Sequence, residues 1–258
     1  MKVKILVASH KKAPMPKDKK LYLPVQVGSI MHPELKLSYQ RDDDGENISS
    51  KNSSYNELTA IYWAWKNLDA DAIGLVHYRR LLSLNHRKNF SDILNYEETE
   101  ELLNKFDIIL PKKRKYYIES NYSHYVHAHH REPLDKCREI IKKFYPNYLD
   151  AFDEVMQRTS AHMFNIFVMK RSCFNEYCEW MFDVLNRLDK VIDTSKYDAY
   201  EARVLGFVSE LLLDVWILNH NYSYTEVNCL FMEKQNWLKK GGKFLFRKFR
   251  GYKELNRE

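Results

Sequence analysis

Asp71-Ala72-Ile73-Gly74-Leu75-Val76-His77-Tyr78-Arg79-Arg80 is the stretch on which the reading of the fold turns. Residues 72–76 are apolar or small without a break, too short for a helix, which is the pattern of a strand buried on both faces in a parallel sheet. Four polar residues, His77, Tyr78, Arg79 and Arg80, follow at once and so stand at that strand's carboxyl end. Upstream, residues 55–68 carry Leu58, Ile61, Tyr62, Trp65 and Leu68 at helical spacing, and Ser54 with Glu57 reads as a capping box. A helix feeding a buried strand is the repeating unit of an α/β sheet.

The alternation continues on both sides. Residues 2–8 read as a first strand, 96–105 as a helix and 106–110 as a strand closed by Pro111. Residues 134–144 and 148–157 read as amphipathic helices and 163–169 as a strand. A helix is predicted over 174–188, with Tyr177, Met181, Val184 and Leu188 on one side, and another over 208–219, followed by a strand over 222–229. The stretch 116–131, dense in Tyr and His without a sustained period, reads as a long loop over the sheet's carboxyl edge. The expectation is an α/β fold with a Rossmann-type, mostly parallel sheet flanked by helices. It forms one domain over residues 1–240, followed by a basic, aromatic tail over 241–258.

Composition narrows the class. Of 258 residues, 45% are hydrophobic, 14% aromatic and 29% charged, which excludes a disordered or collagenous chain. A core of this size needs no disulfide or metal to hold it. The apolar runs fall short of the ~20 residues that span a bilayer. The first residues lack the long apolar segment of a secretory signal, and Cys137, Cys173, Cys178 and Cys229 show no Cys-x-x-Cys spacing; both point to a reducing cytoplasm. The net charge of +6 gathers in residues 112–115 and 239–253. In the tail, Phe244, Phe246 and Phe249 alternate with cations, which suits either a peripheral seat on an anionic membrane's inner face or an ordinary basic terminus. Nucleic acid is disfavoured, since no recognition motif accompanies the charge.

In an open α/β sheet, ligands bind beyond the carboxyl ends of the strands. The residues there, His10, Lys11, the 77–80 segment and the basic loop after Pro111, are rich in cations and would suit a diphosphate. No Gly-x-Gly-x-x-Gly and no P-loop is present, so side chains would have to hold the phosphates. Asp42 and Asp44, in Arg41-Asp42-Asp43-Asp44-Gly45, could share Mg²⁺ or Mn²⁺, or could belong to a solvated turn. His124, His127, His129 and His130 lack the partners of a zinc site; His127 and His130 read equally well as contacts to a polar substrate or as surface residues. Ser209 reads as a helix N-cap, and Glu210 either as a first-turn carboxylate favoured by the helix dipole or as a general base.

Larger motifs carry a resemblance. They are Asp42-Asp43-Asp44-Gly45-Glu46-Asn47-Ile48-Ser49, Lys51-Asn52, residues 57–67 (Glu-Leu-Thr-Ala-Ile-Tyr-Trp-Ala-Trp-Lys-Asn) and Gly74-Leu75-Val76-His77-Tyr78-Arg79-Arg80. Residues 7–11, 22–28, 165–167, 177–180 and 206–212 extend the match over most of the chain. The chain resembles a bacterial family of unknown-function domains from capsular polysaccharide, exopolysaccharide and lipopolysaccharide synthesis clusters, whose members are treated as glycosyltransferases. That resemblance implies a GT-A-like fold over residues 1–240 and transfer of a sugar from a nucleotide donor, a UDP-hexose or UDP-galactofuranose, to a lipid-linked glycan.

Under it, His10, Lys11, Asn52, Glu57, His77, Tyr78, Arg79 and Arg80 are expected to bind the donor. His127, His130 and Asn165 are expected to meet the acceptor, and Glu210, Asp44 and Arg79 to act in catalysis. One departure stands out: where many GT-A enzymes place Asp-x-Asp after the donor-site strand, this chain has His77-Tyr78-Arg79. Arginine could then stabilise the leaving diphosphate in a metal's place, unless Asp42 and Asp44 supply one. The competing expectations are a non-catalytic module that binds glycan or anionic lipid, and a metal-dependent hydrolase built on the histidines.

Overall fold

The computed structural model describes residues 1–233. The tail over 241–258, with Phe244, Phe246 and Phe249, lies outside the described residues. A mixed sheet carries the fold. Strands β1 (Val3–Ser9), β2 (Tyr22–Gln26), β3 (Gln40–Arg41) and β4 (Ala72–His77) are mutually parallel in the order β3-β2-β1-β4, with Leu6 opposite both Leu23 and Leu75. Beyond β4 the parallel run ends. Strand β5 (Arg80–Ser83) turns back after Tyr78 and Arg79 and pairs with the last residue of β4.

Further along the chain come β6 (Ile108–Pro111), β7 (Arg114–Lys115), β8 (Ser160–Ala161), β9 (Phe167–Lys170) and β10 (Tyr224–Phe231). β9 lies antiparallel between β4 and β6, and β10 runs parallel to β6 and antiparallel to β5. β4, β5, β10, β6 and β9 thereby pair in a ring, and β7 with β8 forms a separate ribbon. The expected mostly parallel sheet is thus corrected to a mixed, partly closed one. The cause is a long-range contact: the chain reaches β9 from Phe164, whose carbonyl sits on His77 at the carboxyl end of β4, so the strand runs back along β4. Gly74 permits this pairing, because a Cβ there would stand 2.8 Å from the Phe167 carbonyl oxygen.

Side chains alternate along β1, with Leu6 and Ala8 in one core cluster and Val3, Ile5 and Val7 in the other. The first cluster takes the helices α1 (Asn52–Tyr55), α2 (Leu58–Asn67), α4 (Asn121–Ala128), α5 (Glu132–Phe144), α6 (Leu149–Gln157), α7 (Arg171–Asp189) and α8 (Val204–Leu218). The second packs under α3 (Tyr96–Lys105), which a capping box from Asn95 and Glu98 starts.

Three expectations change at the helices. The single helix over 55–68 is broken at Asn56, which takes φ 50, and no Ser54–Glu57 box forms: the Ser54 hydroxyl donates to the Lys51 carbonyl instead. The loop over 116–131 contains α4, whose N-cap Ser120 accepts from the Ser123 backbone. Ser209 is no N-cap, because α8 begins at Val204; its hydroxyl donates to the Gly206 carbonyl.

Candidate functional site

The strands β1 and β4 end at a cavity of about 680 Å³. His10 enters it just past β1, Asn52 from the start of α1, Glu57 from the break between α1 and α2, and His77, Tyr78, Arg79 and Arg80 from the β4–β5 turn. α8 contributes Glu210, and the segment from Arg114 to α4 closes the far side with Tyr116, Glu119, His124 and His127.

The floor is a buried polar network. Asn165 donates its amide to Glu57 at 2.8 Å and accepts from the Ser209 hydroxyl at 3.1 Å. His77 Nε2 stands 2.9 Å from the Phe164 carbonyl and 3.8 Å from Glu57. A carbonyl only accepts, so Nε2 carries the proton. Burial pulls the His77 pKa down against the opposing pull of Glu57, which favours the neutral ring. Phe164 and Asn165, which make these contacts, hold φ of 78 and 54. Two successive non-glycine residues in the left-handed region need outside support. It comes from His162, whose backbone donates to Asp214 at 2.8 Å and whose ring lies 2.5 Å from Asp214 and 3.0 Å from Glu226.

Charge is arranged around this floor. Burial raises the Glu210 carboxyl to about 7; the negative charge of Glu57 adds to the rise, while Arg80 and the Phe164 backbone oppose it. Arg80 lies with its guanidinium 4.0 Å from the Phe164 ring centre and 5.7 Å from that of Phe231, and burial lowers its pKa. Arg79 is half-buried and stands 3.9 Å from Glu233, which also meets Lys11 at 3.5 Å. Burial lowers the pKa of His10, and the charges of Lys11 and Arg79 lower it further. On the far side the buried Glu119 faces His124 Nδ1 at 2.9 Å and His127 Nδ1 at 3.0 Å. Burial alone would raise the Glu119 pKa, but these two contacts outweigh it and the net shift is downward. Tyr116 stacks on His124 with ring centres 3.8 Å apart.

Of the residues singled out in the sequence, His10, Asn52, Glu57, His77, Tyr78, Arg79, Arg80, His127 and Glu210 meet in this cavity. Asn165 lies beneath it. Lys11 stands at the rim, 5.1 Å from the Tyr78 ring centre, and His130 is an exposed residue stacked on Tyr197 outside the cavity. The acidic turn does something else. Asp42 is fully buried and its two oxygens accept from the Gly28 and Ser29 backbones at 2.7 and 2.9 Å and from the Ser49 and Thr59 hydroxyls, each at 2.6 Å. Asp43 pairs with Arg41, and the exposed Asp44 meets the Gln40 amide at 3.3 Å. Asp42 and Asp44 therefore do not fit a Mg²⁺ or Mn²⁺ ion, since the lone pairs a cation needs are already taken at Asp42. Among the described residues, no group of three His, Cys, Asp or Glu side chains is arranged to hold a metal ion.

Glu119 and Arg203 belong to the cavity wall without having been singled out, whereas Arg114 comes from the basic loop after Pro111 that the sequence pointed to. Glu119 carried a usable signal, an acid five and eight residues before His124 and His127 at the start of a helix. Arg203, held to Asn56 at 2.8 Å across 147 residues of sequence, carried none.

A fold of this kind, with a cationic, carboxylate-bearing crevice at the ends of β1 and β4, is that of a glycosyltransferase-like protein. Residues 4–221 match the family described as a domain of unknown function (DUF4422), and the chain belongs to it. The structure is similar to the apo form of WbbM, a bifunctional glycosyltransferase, with a TM-score of 0.84 at 29% identity. That likeness covers 91% of this chain and 46% of WbbM, so the chain spans under half of that protein's length. No curated protein matches. Among the described residues, no helix is long and apolar enough to cross a membrane.

Proposed function

We propose that the protein is a glycosyltransferase of GT-A-like plan, moving a sugar from a nucleotide donor of the UDP-hexose class to a hydroxyl of a lipid-linked surface glycan. The observation that carries this reading is the meeting of His10, Arg79 and Arg80 with Glu210 in one cavity. The cations suit a diphosphate, and a carboxyl with a pKa of about 7 suits a general base near neutral pH. The acceptor oxygen attacks the anomeric carbon and its proton passes to Glu210. The bond from that carbon to the diphosphate oxygen breaks, and the electron pair leaves with UDP, whose charge the arginines balance. One base suffices for inversion.

Glu57, held by Asn165, and the Glu119-ordered His127 are assigned to hydroxyl recognition. Asn52 and Tyr78 complete the donor wall, and Lys11 is released from Glu233 when a diphosphate enters. The test is a screen of UDP-sugars, UDP-galactofuranose among them, with GDP- and CMP-sugars, for nucleotide release, with and without Mn²⁺. Release from a UDP-sugar that Arg79→Ala abolishes is the expected result. Absence of release from every donor, in the presence of lipid-linked glycan acceptors, contradicts the reading and leaves a binding module.

A further inference from the structure

We propose that the segment between β6 and α4, residues 112–118, seats the protein on an anionic membrane surface, with Tyr117 and Ile118 entering the headgroup layer. Tyr117 is 81% exposed and Ile118 72%, the two most exposed large hydrophobic residues of those described. Such a pair side by side in water calls for a partner.

The segment is pinned, which removes the alternative of an idle loop. Arg114 and Lys115 pair with Ala161 and Ser160, and the Tyr116 backbone donates to Thr159 at 2.8 Å. Tyr116 is buried against His124, while the next residue, Tyr117, takes φ 62 and stands outside. Tyr117 is the centre of a tight turn, closed by the Ile118 backbone donating to the Tyr116 carbonyl at 2.7 Å, so the exposed pair is held in place by its frame. Charge identifies the partner. Lys112, Lys113, Arg114 and Lys115 precede the pair, separated from it by Tyr116 alone, with no acid between Pro111 and Ile118. Consecutive cations beside Tyr and Ile match lipid phosphates over acyl chains, the arrangement that interfacial segments use.

Position agrees. β2 and β6 run in the same direction through the sheet, so the exposed Ile30 and Met31, after β2, leave it at the same edge as residues 112–118. Arg114 and Tyr116 also line the cavity, so the surface that meets lipid adjoins its wall. On the transferase reading, a lipid-linked acceptor would then arrive beside the pocket, but the membrane contact itself does not depend on that chemistry.

The experiment is sedimentation of the full chain with vesicles of phosphatidylcholine alone and of phosphatidylcholine with phosphatidylglycerol. Wild type is expected to pellet with the anionic vesicles and to be released by salt. The triple variant Lys112→Gln, Lys113→Gln, Lys115→Gln is expected to lose about fivefold in affinity per cation removed. Tyr117→Ser with Ile118→Ser should weaken binding too, with circular dichroism and UDP binding unchanged. Tyr117→Gly, which suits a positive φ, keeps the backbone unstrained and is expected to bind less well than wild type. Unchanged affinity in these variants, equal binding to neutral vesicles, or a loss that appears only on deletion from Gly241 onward overturns the proposal. A chain that binds vesicles and no UDP overturns the transferase reading and leaves this one standing.

Discussion

Arg79 and Arg80 are neighbours with different tasks. Arg79 shares Glu233 with Lys11 at the cavity rim, so it is free to exchange that carboxylate for a phosphate. Arg79→Ala is expected to cut turnover by at least about a hundredfold without lowering the melting temperature, checked by nucleotide release and calorimetry. Arg80 lies deeper, between two phenylalanine rings, and opposes the rise in the Glu210 pKa. If Glu210 is the base, activity rises with pH through about 7, and Arg80→Ala moves that limb to higher pH. Glu210→Gln should flatten it. The same shift acts on stability with a definite sign: between the ordinary carboxyl range and about 7 the folded state holds a proton that the unfolded state has lost. Stability therefore falls as pH rises across that window, and a pH series of denaturant melts on Glu210→Gln should lack the fall.

Asp42 illustrates how far a residue can be read from its neighbours. In sequence it is one of three adjacent acids, which suggests a cation. In the fold it is a buried acceptor tying the end of β3 to Gly28, Ser49 and the first turns of α2. Asp42→Asn is expected to cost about 2–4 kcal/mol, read as a lower urea midpoint, because an amide NH₂ would face donors at one oxygen's place.

At the scale of elements, period decided what was legible. The apolar stripes of α3, α5 and α7 repeat along the helix and the run in β4 is unbroken, so these elements lie where the sequence indicates. α4 was not legible because Tyr and His on all sides leave an amphipathic stripe too weak to see. The break at Asn56 was hidden by apolar spacing that continues across it, although that break is what frees Glu57 from a cap and turns it toward Asn165. The reversed direction of β9 depends on Phe164 meeting His77, a contact across 87 residues that no local pattern encodes. Gly74 tests that packing: Gly74→Ala is expected to destabilise by about 1–3 kcal/mol, since the crowding atom is the Phe167 backbone oxygen and cannot rotate away.

At the scale of the molecule, the strands collect cations from distant parts of the chain at one rim. That convergence is why residues picked from separate strand ends, His10 with the 77–80 segment, share a cavity. The rule that ligands lie beyond strand carboxyl ends made this half of the site readable; on the other half His127 and Glu210 were read from residue type alone, while Glu119 and Arg203 required the fold itself. The family match places the chain in a family of unknown function, and its structure is similar to part of the bifunctional glycosyltransferase WbbM.

Titration calorimetry of UDP into the full chain, wild type against Arg79→Ala, probes the diphosphate pocket most directly. Binding in the range of about 1 μM to 1 mM, weakened at least about tenfold by the substitution, is the expected result. No heat of binding in the wild type, or equal affinity in both proteins, would contradict a pocket in which this arginine holds the leaving group.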